Sequence, residues 1–209
     1  MADWTTPLFD EIAAGLDSSY DPSGPLPEDL QSHRAEFDEL DDDLRVKHVY
    51  ACTGLALYCA QCFEANLQNA LVSLHIASGE VRTLQGHDLL VDRLSRQTLG
   101  ALLADIRKLM QLNDNGAHLI AAALEQRNSL AHGFFYRYAA EFSFADGQRK
   151  IIDDLLQRVR LFRAADLLMT AIDRALFRLL GISEKQVAAA YAKLLEECGN
   201  GETGRAGAP

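Results

Sequence analysis

The residues best suited to chemistry lie in the segment EQRNSLAHGFFYRYAAEF, which begins at Glu125. An imidazole can transfer protons near neutral pH, and a guanidinium can bind phosphate oxygens. Asn128, His132 and Tyr136 are four residues apart, so on a helix they form a polar stripe with Glu125 at its upstream end. Arg127 and His132 are five apart, or about 140° around a regular helix, and would not stack in one column.

This polar stripe also has a structural interpretation. The other positions of the segment are apolar, among them Leu124, Leu130, Ala131, Phe134 and Phe135. A polar stripe opposite apolar positions is usually the solvated face of an amphipathic helix. Spacing alone therefore favours a structural role and does not assign a function.

The cysteine pair Cys59-Ala-Gln-Cys62 is the second feature that could carry chemistry. A zinc site needs a second such pair or two suitably placed histidines, and the sequence has no second pair. Cys52, Leu55, Cys59 and Cys62 share one helical face with apolar neighbours, and free cysteine is among the most buried residue types. We therefore predict core cysteines, no metal site and no cofactor. Four unevenly placed cysteines fit a reducing compartment, and we expect a cytoplasmic protein.

Composition indicates a folded chain. Of its 209 residues, 48% are hydrophobic and 24% charged, as in globular proteins. We expect neither a membrane span, since no apolar run reaches the roughly 18 residues required, nor a secretory signal, since the first residues include acids and no basic region. The net charge is −10, and residues 1–45 hold thirteen acids against two bases. The remaining body is electrically balanced, which neither indicates nor excludes a nucleic-acid partner.

The elements that must position these residues are helices. Ala, Leu, Gln, Glu and Arg recur with helical period, and alternating strand patterns are missing. The pattern predicts helices at about 6–16, 28–40, 45–77, 98–112, 117–141, 149–180 and 183–199. Ser95 is a predicted N-cap, residues 114–116 and 146–147 are predicted turns, and Ser183 with Gln186 forms a capping box.

This pattern predicts an all-α fold. We expect an up-and-down bundle of four to five main helices with an N-terminal helical extension. The predicted division is an acidic extension with a Pro-rich linker at 1–44, a helical domain at 45–198 and a flexible tail at 199–209.

The segment RNSLAH, from Arg127 to His132, resembles the R-x4-6-H signature of the HEPN superfamily, including the Asn that commonly follows the Arg. A helix such as that at 50–71, a TLG-x-L segment such as TLGAL at 98–102 and a further long helix after the motif are also similar to that family. The resemblance covers about residues 45–180.

This resemblance implies a metal-independent endoribonuclease that works as a homodimer, as in many HEPN toxins and phage-defence effectors. The motif helices of two protomers would meet at one composite site, where each Arg approaches the partner's His as well as its own. His132 would be the general base or acid, Arg127 would bind the phosphate, and Asn128 would orient the imidazole or contact the substrate. Glu125 and Tyr136 would support the site. RNA would be the substrate, since the 2′-OH is the attacking group, and an antitoxin or regulatory protein would be a further partner.

Two alternatives remain open. Some HEPN members keep the bundle without nuclease activity, which would leave a dimeric module that binds nucleotide, RNA or a protein. A helical scaffold, in which the stripe only serves a dimer interface, is the other. In HEPN toxins paired with nucleotidyltransferase antitoxins the signature often reads R-x4-H-x-Y, but this sequence has Phe134 at the Tyr position, which argues against control by nucleotidylation there.

Two charged segments have competing interpretations. The segment 149–178 holds seven bases and four acids, and we interpret it as an ordinary solvated face rather than an RNA-guiding surface. The acidic run Glu36–Asp43 is expected to face solvent. A less favoured hypothesis is that it shields a basic cleft, so that deleting residues 1–44 would raise cleavage.

Overall fold

The computed structural model describes residues 24–110 and 112–203, and within them the chain forms seven α-helices, one 3-10 turn and no strand. The α-helices are α1 (Glu28–Glu39), α2 (Asp42–Ala77), α3 (Leu84–Ser95), α4 (Leu99–Leu109), α5 (Asp114–Arg137), α6 (Ala145–Leu179) and α7 (Glu184–Thr203), and the 3-10 turn is Glu141–Ser143. The all-α prediction is confirmed. The predicted helix at 6–16, most of the linker and the end of the tail lie outside the described residues.

No helix in this part of the chain combines the length and the apolar character needed to cross a bilayer.

The two longest helices, α2 and α6, form the centre of the bundle. Two hydrogen bonds show that they run in the same direction. Asn66 donates to Asp166 and, two turns further along both helices, Ser73 donates to Asp173. Helix α5 runs antiparallel to both, with α3 and α4 forming the connection between α2 and α5. The core between these helices includes fully buried Phe63, Leu67, Phe134, Phe162 and Ile172.

The cysteines of α2 belong to this apolar interior. Cys52 is 1% exposed and Cys59 is 7% exposed, while Cys62 is half-buried. Burial, more than any other influence, raises the pKa of Cys59 above its ordinary value. The predicted burial is confirmed for Cys52 and Cys59, which lie on one face of α2.

Helix α1 is built into the bundle. Leu30 and Phe37 are buried in the main core, so α1 contributes to the same hydrophobic cluster as α2 and α6. Asp29 forms an ion pair with Arg163 of α6, and Asp38 pairs with Arg149. Most other residues of the acidic run face solvent. No structural break occurs at residue 44, because α2 already begins at Asp42 and continues unbroken to residue 77.

The start of α5 differs from the prediction. Residues 114–116 are the first turn of the helix, where a separate turn was expected. The Asn113 side chain is the N-cap and accepts a hydrogen bond from the Gly116 backbone N–H at 2.7 Å. The prediction was wrong because short polar residues and Gly favour both turns and helix starts.

Three further predictions of helix ends or gaps were wrong for similar reasons. Residues 84–95, where no helix was predicted, form α3, and the Thr83 side chain caps it by accepting a hydrogen bond from the Gly86 backbone N–H. Thr98, not Ser95, is the N-cap of α4. Asp146-Gly147 lies inside the first turn of α6 rather than in a turn before it.

The capping box at the start of α7 is confirmed. Ser183 N–H donates to the Gln186 side-chain oxygen at 2.9 Å, and the Gln186 N–H donates to Ser183 Oγ at 3.3 Å.

Candidate active site

Helix α5 presents the predicted polar stripe to solvent because its opposite face is buried. The buried residues recur at helical spacing and are Ile120, Ala123, Leu130 and Phe134. The exposed residues of the stripe are Glu125, Asn128, His132 and Tyr136. Their exposure leaves all four side chains accessible to a ligand or to a second protein molecule.

Arg127 points towards α2 and is held there. Its Nη2 donates to Oε2 of Glu64 at 2.9 Å, and both side chains are mostly shielded from solvent, at 31% and 22% exposed. Its Nη1 is 3.4 Å from Oδ1 of Asn128, a long hydrogen bond. The guanidinium has five N–H donors, so these contacts fix its position and leave donors for a phosphate.

His132 is not brought to Arg127 within one chain. The helix between them is regular, so the two side chains project about 140° apart. His132 is exposed and makes no hydrogen bond or ion pair with the described residues. The single chain therefore brings together Arg127, Asn128 and Glu64, and leaves the imidazole exposed without a partner among the described residues.

A buried arginine of α6 fixes the motif helix, and the sequence prediction missed it. Arg158 is 3% exposed, and its Nη1 donates to the backbone carbonyl oxygen of Gln126 at 2.9 Å. Its Nε donates to Asp154 at 2.9 Å, and its guanidinium lies 5.2 Å from the centre of the Phe134 ring. The segment 149–178 was interpreted as a solvated face, which is wrong for Arg158, because the spacing of charges does not show which face of a helix is buried.

Tyr138 lies in the same anchoring region, just beyond the C-terminal end of α5. Its burial, and then the neighbouring charge of Asp154 and a hydrogen bond to it, raise the pKa of the phenol. Its hydroxyl therefore stays protonated near neutral pH and can donate to that carboxylate.

An aromatic cluster continues the surface beside His132. The ring of Tyr50 on α2 lies 5.8 Å from that of Phe135 and 5.6 Å from that of Phe142. Tyr50 and Phe135 remain 54% and 41% exposed, and Tyr136 is 91% exposed. Exposed rings of this kind can stack on nucleobases or pack against another protein.

Three basic residues of α6 contact α1 or the chain just before it and so face away from this surface. Arg149 and Arg163 pair with acids of α1, and Arg160 donates to the carbonyl oxygen of Gly24 at 2.7 Å. Arg149 and Arg158 are nine residues apart, about half a turn around α6, so α1 and α5 cover opposite faces. The contact of α1 with Arg149 and Arg163 therefore does not cover Arg127.

Comparisons with models of protein families, with curated proteins and with solved structures find no match for this chain.

Proposed function

We propose that this protein is a metal-independent endoribonuclease of HEPN type that acts as a homodimer, in the manner of a toxin or phage-defence effector. The observation that carries the proposal is the arrangement on α5. Arg127 is held by Glu64 beside Asn128, while His132 is accessible and lacks a partner on the same helix.

Each chain supplies half of the proposed site, and two chains together complete it. Arg127 and His132 project in directions about 140° apart, so a second α5 facing the first supplies the missing group to each. The exposed rings of Tyr50, Phe135 and Tyr136 border this face and supply apolar area for RNA bases or for the partner subunit.

The reaction follows from the side chains. His132 of one protomer takes the proton of a ribose 2′-OH, and the 2′-oxygen attacks the adjacent phosphorus. The bond to the 5′-oxygen breaks, and that oxygen receives a proton from the imidazolium of His132 of the partner subunit. Arg127 binds the non-bridging oxygens and stabilises the added negative charge. The products carry a 2′,3′-cyclic phosphate and a 5′-OH, and DNA cannot react because it lacks the 2′-OH.

The test is cleavage of a mixed RNA pool in EDTA by the parent protein and by Arg127→Ala and His132→Ala. Loss of acid–base catalysis by His132, or of the charge stabilisation by Arg127, each costs about 100-fold or more, so both variants should be nearly inactive. Arg137→Ala and His118→Ala are matched controls, because these exposed residues of the same types lie on the same helix, and they should cut like the parent. Equal activity in all proteins would identify a contaminant or another site.

A second function is favoured by one observation. Arg127 is already neutralised by Glu64 at 2.9 Å, and no described group activates His132. A dimeric module that binds RNA, nucleotide or protein through the same face needs no activated imidazole. RNA binding without cleavage, weakened by Tyr50→Ala and Tyr136→Ala but not by His132→Ala, would support this binding module.

A further inference from the structure

Three side chains with metal-binding chemistry meet between α1 and α2, on the face of α2 away from the candidate active site, and the carboxylate of Glu36 lies beside one of them. His33 and Glu36 come from α1, and His48 and Cys52 come from α2. One ligand atom each from His33, His48 and Cys52 lie within 4.8 Å of one another. His48 and Glu64 are sixteen residues apart, about 160° around α2, which separates this cluster from Arg127.

The orientation of His48 is the main argument. Its Nε2 lies 2.8 Å from the backbone carbonyl oxygen of His33. A carbonyl oxygen only accepts hydrogen bonds, so Nε2 carries the hydrogen and, in a neutral ring, Nδ1 carries the lone pair. Metal-ligating histidines characteristically donate their other ring N–H to a carbonyl or carboxylate in this way.

The surroundings of Nδ1 can attract a cation. This atom lies 4.0 Å from Oε2 of Glu36, so a carboxylate oxygen lies near the lone-pair side of a ring that is 8% exposed. A cation held between the nitrogen and the carboxylate would be attracted by both. Cys52, a residue that is 1% exposed, adds a thiol on the same side of α2, one turn after His48.

The donor set selects the type of ion. Two imidazoles, a thiol and a carboxylate suit Zn²⁺, which binds nitrogen and sulfur tetrahedrally. Ligand atoms around zinc lie about 3.3–3.8 Å apart, so the side chains must close by roughly 1 Å. Glu36 is mostly exposed and His33 is half-buried, so both can shift.

We propose that His33, His48 and Cys52, with Glu36 as the fourth ligand, bind one Zn²⁺ ion that ties α1 to α2. The ion replaces the thiol proton of Cys52, which leaves to solvent as the Zn–S bond forms. This site is structural and takes no part in the proposed RNA cleavage. Its sequence signal is weak, because the ligands come as His-x2-Glu and His-x3-Cys pairs separated by a helix break.

The experiment titrates the metal-depleted, full-length protein with Co²⁺, a spectroscopic substitute for Zn²⁺. We expect stoichiometric binding with the intense visible bands of a tetrahedral site and a thiolate-to-cobalt charge-transfer band. Cys52→Ser should lose the charge-transfer band, and Cys62→Ser, a half-buried cysteine of the same helix, should keep it. His33→Gln should weaken Zn²⁺ binding at least about tenfold in competition with a chelator.

Thermal unfolding provides an independent measurement. Zn²⁺ should raise the Tm of the parent and of Cys62→Ser, with little effect on His33→Gln. An octahedral cobalt spectrum, or binding that is unchanged in both Cys52→Ser and His33→Gln, would overturn the proposal and leave the cluster as an ordinary packing contact between α1 and α2. If circular dichroism shows that Cys52→Ser is unfolded, the metal binding of His33→Gln decides the test. The His33 side chain is half-buried, at the edge of the cluster.

Failure of the zinc proposal and failure of the nuclease proposal would give different results. Loss of the zinc site abolishes the tetrahedral cobalt spectrum and the rise of Tm with Zn²⁺, whereas Arg127→Ala and His132→Ala should leave the spectrum and that rise unchanged. Circular dichroism in EDTA should accompany the cleavage assay, so that loss of the fold is not mistaken for loss of catalysis.

Discussion

Arg158 of α6 donates a hydrogen bond to the main-chain carbonyl oxygen of Gln126, the residue before Arg127, and this bond holds α5 against α6 at that point. A carbonyl in the middle of an α-helix already accepts one N–H from the helix, and its second lone pair is available to a neighbouring helix. Arg158 therefore sets the distance and rotation of the helix that carries the candidate site, although it does not itself reach the stripe.

Arg158→Met should lower the free energy of unfolding by about 3 kcal/mol, because it leaves Asp154 without its buried partner. Denaturant unfolding checks this value. Lys150→Met, at an exposed position of the same helix, is the control and should change stability by less than about 0.5 kcal/mol. A similar small loss in Arg158→Met would show that the guanidinium contributes little to anchoring α5.

The composite site predicts complementation between two inactive variants. Arg127→Ala and His132→Ala proteins, mixed and allowed to exchange subunits, form heterodimers that retain one Arg127 and one His132 on different chains. Cleavage should reappear in part in the mixture, because the single His132 performs only one of the two proton transfers, and stay absent in each protein alone. If mass spectrometry detects heterodimers but cleavage does not recover, then either the Arg127 and His132 that act together belong to one chain or the protein is not a nuclease.

Glu64 is predicted to be a positioning residue for Arg127. Glu64→Gln keeps the shape of the side chain but removes the charge that holds the guanidinium at 2.9 Å. We expect kcat to fall about tenfold, equivalent to about 1.4 kcal/mol, with KM for RNA unchanged or lower because the freed Arg127 still binds phosphate.

Glu39→Gln, an exposed carboxylate at the end of α1, should have the kcat and KM of the parent. If Glu64→Gln instead raised kcat, Glu64 would be an inhibitor of Arg127 rather than its support.

Gly147 allows the start of α6 to pack against the 3-10 turn. A Cβ at this position would lie 2.0 Å from the Glu141 carbonyl oxygen, and both are fixed by the backbone. Gly147→Ala should therefore destabilise the protein by about 1–3 kcal/mol. Gly100→Ala, where the added Cβ meets nothing within 4 Å, should instead stabilise α4 by about 0.5–1 kcal/mol. Equal effects in a thermal melt would contradict the close approach.

Asp173 makes stability depend on pH. Burial raises the pKa of its carboxyl above the ordinary value of 3.8, although the hydrogen bond from Ser73 opposes the shift. The folded state therefore binds this proton more readily than the unfolded state, and the associated stability is lost as pH rises through the folded pKa. Asp173→Asn, which imitates the protonated form, should have a higher Tm than the parent at pH 7.

The Tm difference between Asp173→Asn and the parent should shrink as pH falls towards 3.8. A constant difference from pH 7 to acid conditions would assign the effect to packing rather than to the charge of Asp173.

Sequence periodicity was enough to predict the all-α class and the exposure of the stripe on α5, because amphipathic spacing reports which face of a helix can be buried. It also predicted the burial of Cys52 and Cys59, whose positions match the apolar period of α2. Helix starts were predicted less well, since Asn113-Asp114-Asn115-Gly116 has residues that suit a turn and an N-cap equally.

Contacts between helices distant in sequence were decided by the tertiary structure alone. Glu64 and Arg127 are 63 residues apart, and Arg158 and Gln126 are 32 apart. Periodicity describes one helix at a time, and it does not specify which helix a polar side chain will meet or at what rotation. For this reason the sequence identified Arg127 and His132 as candidates, while only the folded chain determined that Arg127 is held by Glu64 and that His132 has no partner among the described residues.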